Sequence, residues 1–275
     1  MKQQPLKYPT APPCRTPVNE GHMISEVIVL NLPSRSDKFW SVYGALHAVG
    51  VPTERIKRWE AMPASNYEDI ETLVDAAVKD GFPEFQTIYE RGGCDDYLSI
   101  NAQFWSYCQM LRYIAEKDIT AIILYDDRYL LNWAQFVKLY EKIRDYQKHA
   151  EDAGDRVEFY MLQLEFYHDM FMLRSQDFFR VQATPECMRQ YPRIPHIVQG
   201  PIGASENAML YTAEGAKYFL EKLLQIGIAK VEAGLVKLFE LPEAERAGVW
   251  TCNYPVVDEI MNGTSNIFDP PEVSQ

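Results

Sequence analysis

An α/β sandwich around a mainly parallel central sheet is the fold this sequence predicts. Three observations predict it. Apolar, strand-like runs alternate with amphipathic helical stretches along most of the chain. The first run, Val27 to Leu32 (VIVLNL), is continuously apolar rather than alternating, as in a strand buried on both faces. Residues with binding chemistry follow two of the runs, at Pro33 to Ser36 and at Asp126-Asp127. The carboxyl ends of strands are where open α/β sheets bind ligands.

The elements follow in order. Residues 1–22 carry Pro5, Pro9, Pro12, Pro13 and Pro17 and read as an extended, proline-rich N-terminal extension. Residues 23–275 are expected to form a single domain. After the first strand, Asp37 is placed to cap a helix through about Val49, and Gly50, Val51 and Pro52 stop it. Ile56 to Met62 (IKRWEAM) predicts a second strand. Residues 68–80 predict a helix ended by Gly81 and Pro83, and Gly92-Gly93 a loop. Ile100, Phe104, Tyr107, Cys108, Leu111 and Ile114 form a helical stripe over Ser99 to Lys117, with Trp105 on a core face. The strand AIILY, Ala121 to Tyr125, runs into Asp126, Asp127 and Arg128. Asn132 with Gln135 predicts a capped helix through about His149, burying Trp133. VEFYMLQL (157–164) predicts a strand, followed by the polar, aromatic loop EFYHDMF. FFRVQ (178–182) is a weaker strand candidate, and NAMLYT (207–212) a better one. Thr212 is placed to cap a helix through Leu224, and Trp250 and Tyr254 are expected in a loop.

Hydrophobic residues make up 47% and aromatics 13%, enough for a substantial core. The net charge of −12 argues against broad nucleic-acid binding, which needs Lys and Arg to displace counterions. Five cysteines at wide spacing, with no CxxC pair, argue against zinc and suit reduced thiols in the cytoplasm. The N-terminus lacks the apolar core of a signal peptide, and no run of about 18 apolar residues suggests a membrane span.

Two constellations carry chemistry. Asp126 and Asp127 share a ligand only where the chain leaves strand geometry, because adjacent strand side chains point to opposite faces. At a strand end they suit a hard cation such as Mg²⁺ or Mn²⁺ that also takes substrate phosphate oxygens. The competing readings are a phosphoryl-accepting Asp and a solvated turn with Asp127 paired to Arg128. The second constellation is NLPSRSDK, Asn31 to Lys38, a basic loop before a helix, suited to phosphate. It matches neither GxGxxG nor the P-loop pattern. Its plain alternative is that Arg35 and Lys38 are solvated and Asp37 only caps.

Together these residues resemble glycosyltransferase family 25, which includes lipopolysaccharide and collagen galactosyltransferases. The family's opening motif, close to IxxINLxRRxDR, is matched by IVLNLPSRSDK at Asn31, Leu32, Arg35, Asp37 and, conservatively, Lys38. WEAM, with Ala61, is similar to the end of its second strand. Ser106-Tyr107 stands where the family has Ser-His, and Tyr125-Asp126-Asp127 where it has Glu-Asp-Asp about twenty residues later. ENAMLYTAEGAKYFLE, with Gly215 and Ala216, is similar to its YLISxxGAxxLL segment.

The resemblance spans residues 26 to about 225. It implies a GT-A-like, Rossmann-like fold and transfer of a sugar from a nucleotide sugar, a UDP-hexose, to an acceptor hydroxyl with inversion. The acceptor is a glycan or another hydroxyl compound. It implies Mn²⁺ or Mg²⁺ at Asp127 and Asp126, with Asp126 also near the donor. Asn31, Leu32, Arg35, Lys38, Ala61 and Ser106 are the implied donor-binding positions. Inversion needs a base on the acceptor hydroxyl. Asp258 is one candidate, with Glu259 beside it, and Glu165 and Asp169 are others. His168 and His196 are assigned no role. Tyr125 and Tyr107 replace the family's Glu and His, which motivates a second reading: a non-catalytic binding or assembly protein of the same fold.

Overall fold

The computed structural model of the chain describes residues 24–90, 98–155, 157–164, 197–199, 206–238, 248–252 and 257–259. Its strands are β1 (Glu26–Asn31), β2 (Ile56–Glu60), β3 (Ala121–Tyr125), β4 (Arg128–Leu130), β5 (Met161–Gln163), β6 (Ile197–Gln199), β7 (Ala208–Tyr211), β8 (Val249–Cys252) and β9 (Val257–Glu259). Its helices are α1 (Ser36–Ala48), α2 (Ile70–Lys79), α3 (Glu84–Glu90), α4 (Leu98–Lys117), α5 (Trp133–Asp152), α6 (Ala213–Ile226) and α7 (Val231–Leu238).

Seven strands form one sheet in the order β2-β1-β3-β7-β5-β8-β6, and β4 and β9 form a small antiparallel ribbon. β2, β1 and β3 are mutually parallel; β7 is antiparallel to β3 and β5; β8 is parallel to β5; β6 is antiparallel to β8. Five of the seven strands therefore run one way, and the sheet is mixed but mostly parallel.

The continuous apolar run of β1 has the expected cause. Ile28 and Leu30 enter a core shared with α2, α3, α4, α6 and α7, while Val27 and Val29 enter one shared with α1 and α5. Helices thus cover both faces, the α/β arrangement the sequence predicts.

Several boundaries differ from expectation. α1 begins at Ser36, with Arg35 at the cap position and no side chain closing it. Asp37 lies inside the first turn, where its charge faces the positive end of the helix dipole instead. The helix ends at Ala48, and Gly50 just beyond it, with a φ of +94° that suits glycine, stops it as expected. Asn132 caps α5 through Gln135 N at 3.0 Å, and the helix runs on to Asp152. Thr212 caps α6 through Gly215 N at 2.9 Å, and the helix reaches Ile226 before Gly227. α3 is a short helix the periodicity does not mark. VEFYMLQL yields only a three-residue strand, Met161–Gln163.

Trp250 is not in a loop. It sits in β8 with 0% exposure, and its Nε1 donates to Glu158 O at 3.0 Å. Trp105 and Trp133 are core residues as expected. Residues 1–22, FFRVQ, Glu165, His168, Asp169, His196 and Tyr254 lie outside the described residues. No helix among the described residues is long and apolar enough to cross a membrane.

Candidate functional site

Parallel pairing brings the carboxyl ends of β1 and β3 side by side. Leu30 stands opposite Tyr125, so Asn31 and Asp126 are the next residues out on neighbouring strands. Asn31 shares the sheet face of Val27 and Val29. Tyr125 shares the opposite face, with Ile123, so the chain turns Asp126 back toward Asn31. The contact is direct: Asn31 Nδ2 donates to Asp126 Oδ2 at 2.8 Å.

Asn31, 1% exposed, is the hub of this edge. Its Nδ2 also donates to Arg35 O at 2.8 Å, and its Oδ1 accepts from Arg58 Nε at 2.9 Å. Arg58 Nη2 donates to Leu32 O at 3.2 Å and Pro33 O at 3.3 Å. Ala61 N donates to Asn31 O at 2.9 Å, closing the exit of β2 against β1.

Burial pushes the Asp126 carboxyl above the ordinary carboxylate range, and the charge of Asp127 adds to the rise. The Asn31 bond and the positive charges of Arg35 and Lys38 oppose it without cancelling it. The basic loop and the acid pair, about ninety residues apart in the chain, therefore act on one another electrostatically.

Asp127 takes a different partner. Its Oδ1 lies 3.0 Å from Nη1 of Arg128, whose side chain is 3% exposed. This is the pairing that the plainer sequence reading held open, although Arg128 is buried rather than solvated.

Ser106 is 0% exposed. Its Oγ donates to Ala102 O and accepts from Met62 N, both at 2.8 Å. It braces the segment after β2 against α4, as Ala61 braces it against β1. Both positions frame the edge.

Tyr125 and Tyr107, the two departures from the family pattern, are neighbours. Their rings stack with centroids 6.5 Å apart and planes 25° apart. Gln103 Nε2 donates to Tyr125 OH at 2.7 Å, and the Tyr107 and Tyr211 hydroxyls bond at 3.0 Å. Burial pushes all three phenols up, and the charge of Glu206 adds to each rise, so they stay neutral. Position 125 thus turns a neutral phenol toward α4 and offers no carboxylate at the edge.

Sequence reasoning missed two residues here. Glu206 precedes β7; Leu124 pairs with Ala208 and Tyr125 N donates to Asn207 O at 2.9 Å, so Glu206 is the next residue out on the acid pair's edge. Only the reversed direction of β7 puts it there. Arg58 was readable only as one basic residue of IKRWE.

Asp258 lies in β9 opposite Tyr129, two residues past Asp127, and Glu259 lies opposite Arg128. The fold brings both backbones to the edge.

Among the described residues no group of three or more His, Cys, Asp or Glu side chains forms a metal site. Asp126 and Asp127 offer two carboxylates beside two cationic side chains. That donor set suits a Mg²⁺-like cation that draws its remaining ligands from water and phosphate.

No family model matches the chain, and no curated protein matches it.

Proposed function

We propose that this protein is a glycosyltransferase of GT-A-like fold, moving a hexose from a UDP-sugar to an acceptor hydroxyl with inversion. The observation that carries the reading is the junction of acid pair and basic loop, made by the Asn31–Asp126 bond. Asp126 and Asp127 would hold Mn²⁺ or Mg²⁺, and Arg35 and Lys38 would attract the donor's phosphates. The cation, when bound, offsets charge growing on the leaving diphosphate. A carboxylate takes the proton of the acceptor hydroxyl. Asp258 is the candidate the family resemblance offers, and Glu206 the one the sheet delivers. A glycan or another hydroxyl compound is the acceptor, and the setting is the cytoplasm.

The stacked, neutral Tyr125–Tyr107 pair favours one second reading, a binding or assembly protein that holds the donor without turning it over.

Titration calorimetry with UDP-galactose and UDP-glucose, with and without Mn²⁺, tests the first reading. The expected result is binding that depends on Mn²⁺ and weakens at least about tenfold in Asp127→Asn. Asparagine is the closer replacement, since it keeps an oxygen to face buried Arg128; because it too removes the charge paired with Arg128, a melting curve accompanies each titration. Equal affinity in the variant, with and without Mn²⁺, refutes the reading. UDP release by the wild type excludes the non-catalytic alternative.

A further inference from the structure

We propose that Arg58 is a positioning residue of this edge: acting through the Asn31 amide, it aims the Asp126 carboxylate and shapes the loop after β1. The inference rests on the cation and diphosphate reading given above, and it adds a residue to which that reading assigned no role.

The argument starts from hydrogen-bond capacity. A side-chain amide has two N–H donors on one atom and lone pairs on the other. Asn31 commits both ends, its Nδ2 to Asp126 and Arg35 O and its Oδ1 to Arg58 Nε. Arginine only donates, so it accepts no rotation of the amide that brings Nδ2 to its side. The guanidinium thereby holds the donor end of Asn31 toward Asp126.

The same guanidinium fixes the other half of the site. Nη2 reaches Leu32 O and Pro33 O, the carbonyls that lead into Arg35 and Lys38. One rigid fork therefore sets both the carboxylate for the cation and the loop for the phosphates.

Arg58 is itself well fixed. It stands opposite Val29 in the β1–β2 ladder, its side chain is 25% exposed, and its guanidinium lies 5.7 Å from the Phe39 ring centre. The ion pair with Glu60, at 3.8 Å, joins a side chain that is 66% exposed and contributes little.

Lysine cannot replace the fork. One ammonium reaches either the amide oxygen or the loop carbonyls, but does not reproduce the planar spacing of Nε and Nη2.

The experiment compares wild type, Arg58→Met and Arg58→Lys in the full chain. Two quantities are read: the melting temperature, and the ratio of UDP-galactose Kd values without and with Mn²⁺. A residue that only supports the fold shifts the first and leaves the second alone. The expected result is that Arg58→Met lowers the ratio about tenfold, as loss of an outer-shell partner does at metal sites. Arg58→Lys is expected to recover part of it. If Arg58→Met does not fold, Arg58→Lys and Arg58→Gln carry the measurement, with a reduced ratio still expected. A wild-type ratio retained in every folded variant overturns the role of Arg58 alone. A wild type whose binding ignores Mn²⁺ overturns the site reading, and the role of Arg58 with it.

Discussion

Asp126→Asn is expected to weaken the proposed cation-dependent donor binding strongly while leaving the protein at least as stable as wild type at pH 7. The two effects have opposite signs because they come from one charge. The ionised carboxylate is what a hard cation requires, and removing it is expected to weaken Mn²⁺-dependent UDP-sugar binding about a hundredfold. The folded protein, by contrast, disfavours that charge: burial and the neighbouring Asp127 raise the Asp126 carboxyl above the ordinary range. A carboxyl with a raised folded value takes up its proton at higher pH when folded than when unfolded. Its penalty to stability is fully present above the folded value, and relief comes as pH falls through it. Asparagine is neutral throughout and keeps an oxygen to accept from Asn31 Nδ2. Its melting temperature is therefore expected to equal or exceed that of wild type at pH 7, with any gap closing as the pH is lowered. The proposed cation binding of the wild type is expected to run the other way and to be lost across the same fall, since proton and cation compete for one oxygen pair. Calorimetric melts at several pH values, paired with Mn²⁺ titrations, check both. A clear loss of stability in Asp126→Asn at pH 7 contradicts the electrostatic account.

Gly215→Ala is the substitution with the largest expected effect on folding. α6 starts against the backbone entering β5: Thr212 N and Oγ1 both donate to Tyr160 O, at 3.0 and 3.1 Å. Gly215 is in the first turn of that helix, and a Cβ there lies 1.7 Å from Tyr160 O and 2.3 Å from Tyr160 C. No flexible side chain is available to yield, because the obstacle is backbone. The helix or the strand must shift. α6 carries buried Ala216, Phe219 and Leu223, and Phe219 stacks on Tyr211 with centroids 5.7 Å apart. A cost above about 4 kcal/mol is expected, a large part of the stability of an ordinary domain. Gly44→Ala is the matched control. Gly44 is helical and exposed, nothing lies within 4 Å of an added Cβ, and a gain of about 0.5–1 kcal/mol is expected. Denaturant melts of the two variants check the contrast. Equal behaviour of the two sinks the close-approach argument.

The contrast between these glycines shows how unevenly the chain discloses itself. As letters, Gly44 and Gly215 look alike, each inside a helical pattern. The family resemblance marked Gly215, yet the reason for it, the Tyr160 carbonyl fifty-five residues earlier, is a matter of packing. Arg35 and Lys38 show the reverse case. Their place beside the first strand was legible, as was the place of Asp126 after the third, because a buried apolar run followed by polar residues marks a strand end. Trp250 misled, because a short strand between Gly248 and Cys252 leaves too few residues for a period to show.

What the sequence determined by itself was the alternation of strands and helices, the two covered faces of β1, and the strand ends where polar chemistry collects. These follow from local periods of 2 and 3.6 residues, which neighbouring side chains record. Only the tertiary structure decided that Asn31 meets Asp126, that Tyr125 turns away to stack on Tyr107, and that the reversed β7 brings Glu206 to the same edge. Such facts depend on strand order, direction and register. Those are set by how distant segments pack, and no local period carries them.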